Sequence, residues 1–160
     1  VDAIVTRRSV GWTFVLVQFL LLGALIALPS RNDWSTPWWT TTLGGAVVIG
    51  GLGIVGFASL NLGRALTATP VPTKHGELVT TGLYRFTRHP IYSAVLLIVI
   101  GLVVRSGSLL HALVGAVTML FFNRKARWEE AQLADRYPGY EAYAATTPRF
   151  VPSLLRIRRT

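Results

Sequence analysis

The sequence predicts an all-α integral membrane protein with about four transmembrane helices, a cytosolic C-terminal helical segment and no Rossmann domain. Three observations predict it. Apolar residues make up 51% of the 160 and charged residues only 14%, where soluble domains carry roughly 25% charged residues. The apolar residues gather into four runs, Val10–Leu28, Thr41–Leu62, Ile91–Val104 and Leu109–Phe122. The net charge of +9 is lopsided: four spans place 14 of the 16 Lys and Arg on the side of both termini, and only Arg31 and Arg105 on the other. The positive-inside rule puts the crowded side in the cytoplasm.

Val10–Leu28 supplies the ~20 helical residues that a hydrocarbon core requires, with Gln18 its main polar side chain. Arg7 and Arg8 precede it, as in a signal peptide, but the run exceeds a typical signal core and no small-residue cleavage site follows. A retained helix ending at Pro29 is expected. Residues 29–40 hold Trp34, Trp38 and Trp39, an interfacial aromatic belt. Within Thr41–Leu62 lies Gly51-Leu-Gly53-Ile-Val-Gly56, a literal G-x-G-x-x-G. No strand precedes it and no βαβ unit surrounds it, so helix packing through small residues is expected instead of dinucleotide binding.

Residues 61–90 form a long polar connection in which Pro70 and Pro72 exclude a regular helix. Pro90 suits the first turn of the third helix and places His89 at or near its N-cap. The third and fourth runs are short. They form either two full spans or an oblique hairpin, turning at Arg105-Ser106-Gly107-Ser108. Trp128–Leu133 should carry the fourth helix beyond the bilayer until Tyr137-Pro138-Gly139 breaks it. A short segment with Tyr140 and Tyr143 follows, then Pro148-Arg149-Phe150-Val151-Pro152 and a basic tail.

The absence of cysteine excludes disulfides, thiolate metal sites and a cysteine nucleophile. His75, His89 and His111 alone make a zinc site unexpected. The basic excess has a topological and lipid-facing cause, so nucleic acid is not an expected partner.

Four segments carry a resemblance: Leu78-Val79-Thr80-Thr81-Gly82-Leu83-Tyr84, then Arg88-His89-Pro90-Ile91-Tyr92, then Glu129-Glu130-Ala-Gln-Leu133, then Tyr140-Glu-Ala-Tyr143 with Arg149-Phe150-Val151-Pro152. Together they resemble the isoprenylcysteine carboxyl methyltransferase family, whose wider group includes phospholipid N-methyltransferases. The resemblance spans residues 76–152. It implies a membrane methyltransferase that takes S-adenosylmethionine as methyl donor, releases S-adenosylhomocysteine, and draws a lipidic or prenylated small substrate from the bilayer. The first two spans resemble nothing beyond membrane helices, and a single domain is expected: two transmembrane helices (1–62), a cofactor-binding catalytic core (63–152) and a basic tail (153–160).

Carried over residue by residue, the resemblance puts cofactor contacts at Leu78, Val79, Tyr84, His89, Pro90, Ile91, Tyr92 and Glu129, with Arg88 beside them. The residue types suit the cofactor. Glu129 or Glu130 neutralises its ammonium. Backbone N–H groups at the start of the third helix, with His89 and Arg88, hold its carboxylate. Tyr84 and Tyr92 pack against the adenosine or face the sulfonium. Eukaryotic members place an arginine four residues before the key glutamate; here that position is Lys125, flanked by Arg124 and Arg127. Lys125, Arg127 and Glu130 are the expected catalytic residues, with Glu130 or a tyrosine as base if the acceptor is an amine. Thr69 stands where those members carry a glutamine, and residues 75–77 read His-Gly-Glu.

Each residue also has a plainer reading. His89 can simply cap its helix, Glu129 and Glu130 can form a solvated face, and Tyr84 and Tyr92 can anchor at the interface. Two other functions stay open: an NADPH-dependent membrane reductase and a non-catalytic membrane subunit.

Overall fold

The computed structural model describes residues 2–31, 33–63 and 78–152, with side chains from Ser9 onward. The Pro70–Pro72 connection, Thr69, the His-Gly-Glu triplet and the basic tail lie outside the described residues. All regular structure among them is helical: α1 (Asp2–Ala27), α2 (Trp38–Leu62), a 3-10 turn (Gly82–Arg85), α3 (Pro90–Ser106), α4 (Leu109–Arg136) and α5 (Tyr140–Thr146).

Two helices are long and apolar enough to cross a membrane, Ser9–Ala27 within α1 and all of α2. The 17-residue α3 rises only about 26 Å, and its apolar neighbour in α4 is shorter, so the hairpin is the thinner half of the bundle. Large apolar side chains point outward on every long helix, among them Phe19, Ile49, Phe57, Leu60, Leu113 and Leu120. A water-soluble fold would bury them; a lipid-facing one leaves them where they are.

In sequence order the helices alternate direction. α2 packs on α3, α3 on α4, and α4 on α1. The α2–α3 crossing is close because small residues face each other. A Cβ on Gly44 would lie 2.7 Å from the Gly101 carbonyl oxygen, and one on Gly51 would lie 2.5 Å from Ile98. Gly53 and Gly56 meet nothing within 4 Å, so only the first glycine of the G-x-G-x-x-G stretch serves packing.

At one end of the bundle the loop before α2 is clasped to the α3–α4 turn. Arg31 N donates to Ser106 O (3.1 Å) and Asp33 N to Gly107 O (2.9 Å). The Asp33 carboxylate caps α4 by accepting from Leu109 N at 2.8 Å. The turn is tighter than expected, because Arg105 and Ser106 remain helical. At the other end Asn61 Oδ1 accepts from Leu83 N at 3.1 Å. Gly82 sits there at φ +59°, and a Cβ on it would overlap that amide oxygen. The last turn of α2 thus fixes the segment that leads into α3.

α4 runs unbroken past its apolar stretch to Arg136, and α5 begins after Tyr137-Pro138-Gly139. The chain then returns along the start of α3. Arg88 N donates to Pro148 O (2.9 Å) and His89 N to Arg149 O (3.1 Å). The Thr87 hydroxyl donates to Arg149 O (2.7 Å), and that of Ser93 to Phe150 O (2.7 Å). Residues 147–152 therefore form a strap across the N-terminus of α3.

Candidate active site

The strap, the start of α3 and the middle of α4 meet around two consecutive carboxylates with different surroundings. Glu130, with 12% of its side chain exposed, is fully engaged. Arg149 grips it with two donors, Nε to Oε1 at 2.9 Å and Nη2 to Oε2 at 2.6 Å. Arg88 Nη2 lies 3.1 Å from Oε1, as does His89 Nε2. Burial alone would raise this carboxyl, but the hydrogen bonds from His89 and Arg149 and the charge of Arg88 outweigh it and hold it down to about 2. Glu130 is thereby a permanent anion at the hub of a cationic cluster.

Glu129 is more open, at 23% side-chain exposure. Its Oε2 accepts from the Tyr92 hydroxyl at 2.7 Å and lies 3.9 Å from His89 Nδ1. The His89 and Tyr92 rings stack, with centroids 5.1 Å apart. His89 does occupy the N-cap position of α3, but its side chain makes no capping bond; it spans the two glutamates instead. The solvated-face reading of the glutamate pair therefore fails here.

Lys125 is only 4% exposed. Its ammonium donates to Gln18 Oε1 on α1 and sits 5.1 Å from the Tyr92 ring centre and 5.8 Å from that of Phe122. No carboxylate lies within 4 Å of it among the described residues. Burial lowers its pKa, and the Glu129 charge opposes that. A buried ammonium with one hydrogen bond keeps two donors in hand.

Tyr84 is buried beside this cluster, its carbonyl accepting from the Tyr143 hydroxyl. Burial first, then the charges of Glu129 and Tyr143, push its own hydroxyl well up. Pro90 is buried; Ile91, Leu78 and Val79 are partly covered. Arg127 stands apart: it is exposed, and its Nε reaches only Asn123 Oδ1, one turn back on its own helix, at 3.2 Å. The structure does not bring it into the cluster. Of the backbone N–H groups at the head of α3, those of Arg88 and His89 are taken by the strap and Pro90 has none, which leaves those of Ile91 and Tyr92 in the first turn.

Arg149, Tyr140 and Tyr143 lie within the resembling segments, but no role follows for them from the sequence. Arg149 is the second cation of the Glu130 cluster, and Asn123 joins it at 3.3 Å. Gln18 was visible as the polar residue of an apolar run, a position where a polar group is costly without a partner. No cluster of three or more His, Cys, Asp or Glu that could hold a metal ion occurs among the described residues.

Across the start of α3 lies a second feature, a cavity of about 670 Å³ with an almost wholly apolar lining. Ile54, Phe86, Pro90, Leu97, Met119 and Phe150 line it. Phe150 borders both regions, since its ring also lies 6.1 Å from that of His89.

Comparison with known proteins places this arrangement. The sequence profile of the phospholipid methyltransferase family matches residues 39–139. The chain is 31% identical to the nickel-cobalt-cadmium resistance protein NccN of Alcaligenes xylosoxydans xylosoxydans, over 98% of this chain and 70% of that protein. It is 32% identical to the cobalt-zinc-cadmium resistance protein CzcN of Cupriavidus metallidurans, over 96% and 68%. Against protein-S-isoprenylcysteine O-methyltransferase B of Arabidopsis thaliana it is 31% identical over 72% of this chain and 60% of that one. The solved eukaryotic intramembrane Ras methyltransferase, isoprenylcysteine carboxyl methyltransferase, superposes with a TM-score of 0.65 at 21% identity, covering 94% of this chain. This chain spans about half (52%) of that structure's length. The chain belongs to the phospholipid methyltransferase family and carries the membrane fold of the isoprenylcysteine carboxyl methyltransferase.

Proposed function

We propose that this chain is an S-adenosylmethionine-dependent membrane methyltransferase acting on a carboxylate of a lipidic, prenylcysteine-type acceptor at the cytoplasmic face. One observation carries the reading: a buried ammonium with no carboxylate partner among the described residues, Lys125, stands beside the Tyr92–Glu129 pair, with an apolar cavity across the same helix start.

The side chains fit that cofactor. Its ammonium needs a carboxylate with spare capacity, and Glu129 offers Oε1 while Tyr92 fixes Oε2. Tyr84 and Tyr92 offer aromatic surface for the adenosine and sulfonium. When bound, the cofactor supplies a methyl group already activated by the sulfonium. The chain's own residues then bind, orient and exclude water. Lys125 orients the acceptor carboxylate through its two remaining donors. The apolar cavity takes the hydrocarbon and aligns it. Glu130 is a positioning residue: held at about 2, it is too weak a base to take a proton. A carboxylate acceptor needs no base, being ionised at neutral pH.

The family's name favours a second reading, N-methylation of an aminophospholipid. Lys125 weighs against it, because a buried ammonium repels an amine that gains positive charge on methylation.

Calorimetric titration with S-adenosylhomocysteine, with Glu129→Gln as control and NADPH in parallel, tests the class. Saturable binding lost in the variant supports it. NADPH binding alone would replace it with the reductase reading, and binding of neither would leave a non-catalytic subunit. Labelled methyl transfer to N-acetyl-S-farnesylcysteine, compared with phosphatidylethanolamine vesicles, separates the carboxylate acceptor from the amine.

A further inference from the structure

The family profile begins at residue 39, yet α1 reaches the site. Phe14 packs on Phe121 and Trp128 of α4, with ring centroids 5.8 Å and 5.2 Å away. Those two aromatics lie one turn either side of Lys125, and Gln18 lies one turn on from Phe14. The ring contacts thus set the register that brings Gln18 opposite Lys125, where Oε1 accepts from Nζ at 2.5 Å.

An ammonium only donates, so Gln18 must turn its carbonyl oxygen to Lys125 and its amino group away. That amino group meets no acceptor among the described residues. A polar side chain inside an apolar span is costly, and holding Lys125 does not explain why it is an amide. A carboxylate at position 18 would hold the lysine more strongly and cancel its charge. The amide holds it, leaves the charge in place and sets two N–H donors beside it. Lysine alone meets an anion as a point charge, without paired donors to match the two oxygens of a carboxylate. Gln18 Nε2 supplies the second donor.

We propose that Gln18 and Lys125 form a two-point clamp for the acceptor's carboxylate, Lys125 Nζ holding one oxygen and Gln18 Nε2 donating to the other. This rests on the carboxylate-acceptor reading and adds to it a binding residue on α1, outside both the resembling segments and the family profile. Gln18 is then a specificity residue that favours a planar group with two acceptor oxygens.

The experiment is steady-state methyl transfer to N-acetyl-S-farnesylcysteine by the detergent-solubilised full chain, with S-adenosylhomocysteine affinity measured alongside by calorimetry. Gln18→Met, of similar length and without donors, should raise the acceptor KM by about tenfold or more, the worth of one hydrogen bond to a charged group, and leave S-adenosylhomocysteine affinity within twofold. Gln18→Glu keeps an acceptor for Lys125 but removes the donors and cancels the charge, so its KM should rise at least as far. In a Lys125→Arg background the guanidinium brings its own paired donors, and Gln18→Met should there raise KM by less than about threefold. A merely structural Gln18 would give a wild-type KM in Gln18→Glu, or the same loss in both backgrounds, and either result would overturn the clamp. An unchanged KM in Gln18→Met would overturn it too. If Lys125→Arg does not fold, Gln18→Glu carries the test. A wild-type chain that bound no S-adenosylhomocysteine would sink the methyltransferase reading itself. One that methylated phosphatidylethanolamine and not the farnesylcysteine would sink the carboxylate acceptor, and this inference falls with either.

Discussion

The α3–α4 hairpin has two ends, each with a buried histidine, and they are built differently. At the turn end, around His111, the partners are mostly backbone: Arg31 and Asp33 N–H groups on the carbonyls of Ser106 and Gly107, and an aspartate capping Leu109. At the site end, around His89, the partners are charged side chains drawn from α3, α4 and the strap. Backbone pairs fix a shape and use up valence. Side-chain clusters also set charge, and this one keeps valence in reserve on Lys125 and Glu129. The difference separates a structural clasp from a site that can act.

Breaking the hub of the charged end should have the largest effect. Glu130→Ala strands two arginines and should cost about 3–5 kcal/mol, visible as a lower melting temperature in detergent and loss of S-adenosylhomocysteine binding. A variant as stable as the wild type would refute the clamp role. Acid should probe the same group. Its folded pKa is depressed, so the stability it contributes is present above the ordinary carboxylate range near 4.5 and is lost as pH falls toward about 2. A melting temperature flat from pH 5 to pH 3 in the wild type would count against the ion cluster.

Glu129→Gln sharpens the contrast between the two glutamates. It should weaken S-adenosylhomocysteine by roughly 10–100-fold, the worth of a charged hydrogen bond, with little change in melting temperature. Lys125→Ala should lower turnover of a carboxylate acceptor by a similar factor and leave S-adenosylhomocysteine affinity within twofold. Equal effects on both quantities would remove Lys125 from acceptor binding. Asp33→Ala, at the turn end, should cost only about 1 kcal/mol as a lost cap and leave cofactor affinity untouched. A large loss of affinity there would erase the distinction between the ends.

The helices were legible because apolar run length and Pro/Gly punctuation are local signals. Pro90, Gly107 and Tyr137-Pro138-Gly139 mark their boundaries in one dimension. The clustering of His89, Tyr92, Glu129 and Glu130 was legible only through resemblance to other chains. The different jobs of two adjacent glutamates were not, because they depend on Arg149, nineteen residues away in sequence. Nor was the Gln18–Lys125 pair, whose partners are separated by 107 residues. The strap was hidden for the same reason: its bonds use main-chain carbonyls, which no residue type announces.

The strap also gives the protein a calendar. Arg149 is added 62 residues after Thr87, which at 5–20 residues per second is roughly 3–12 s of synthesis. Throughout that interval the N–H groups at the head of α3 lack their carbonyls, and for its last 19 residues Glu130 has only Arg88 and His89 to answer it. The hairpin waits in the membrane as a half-built socket, and the segment that closes it is translated only after both of its helices.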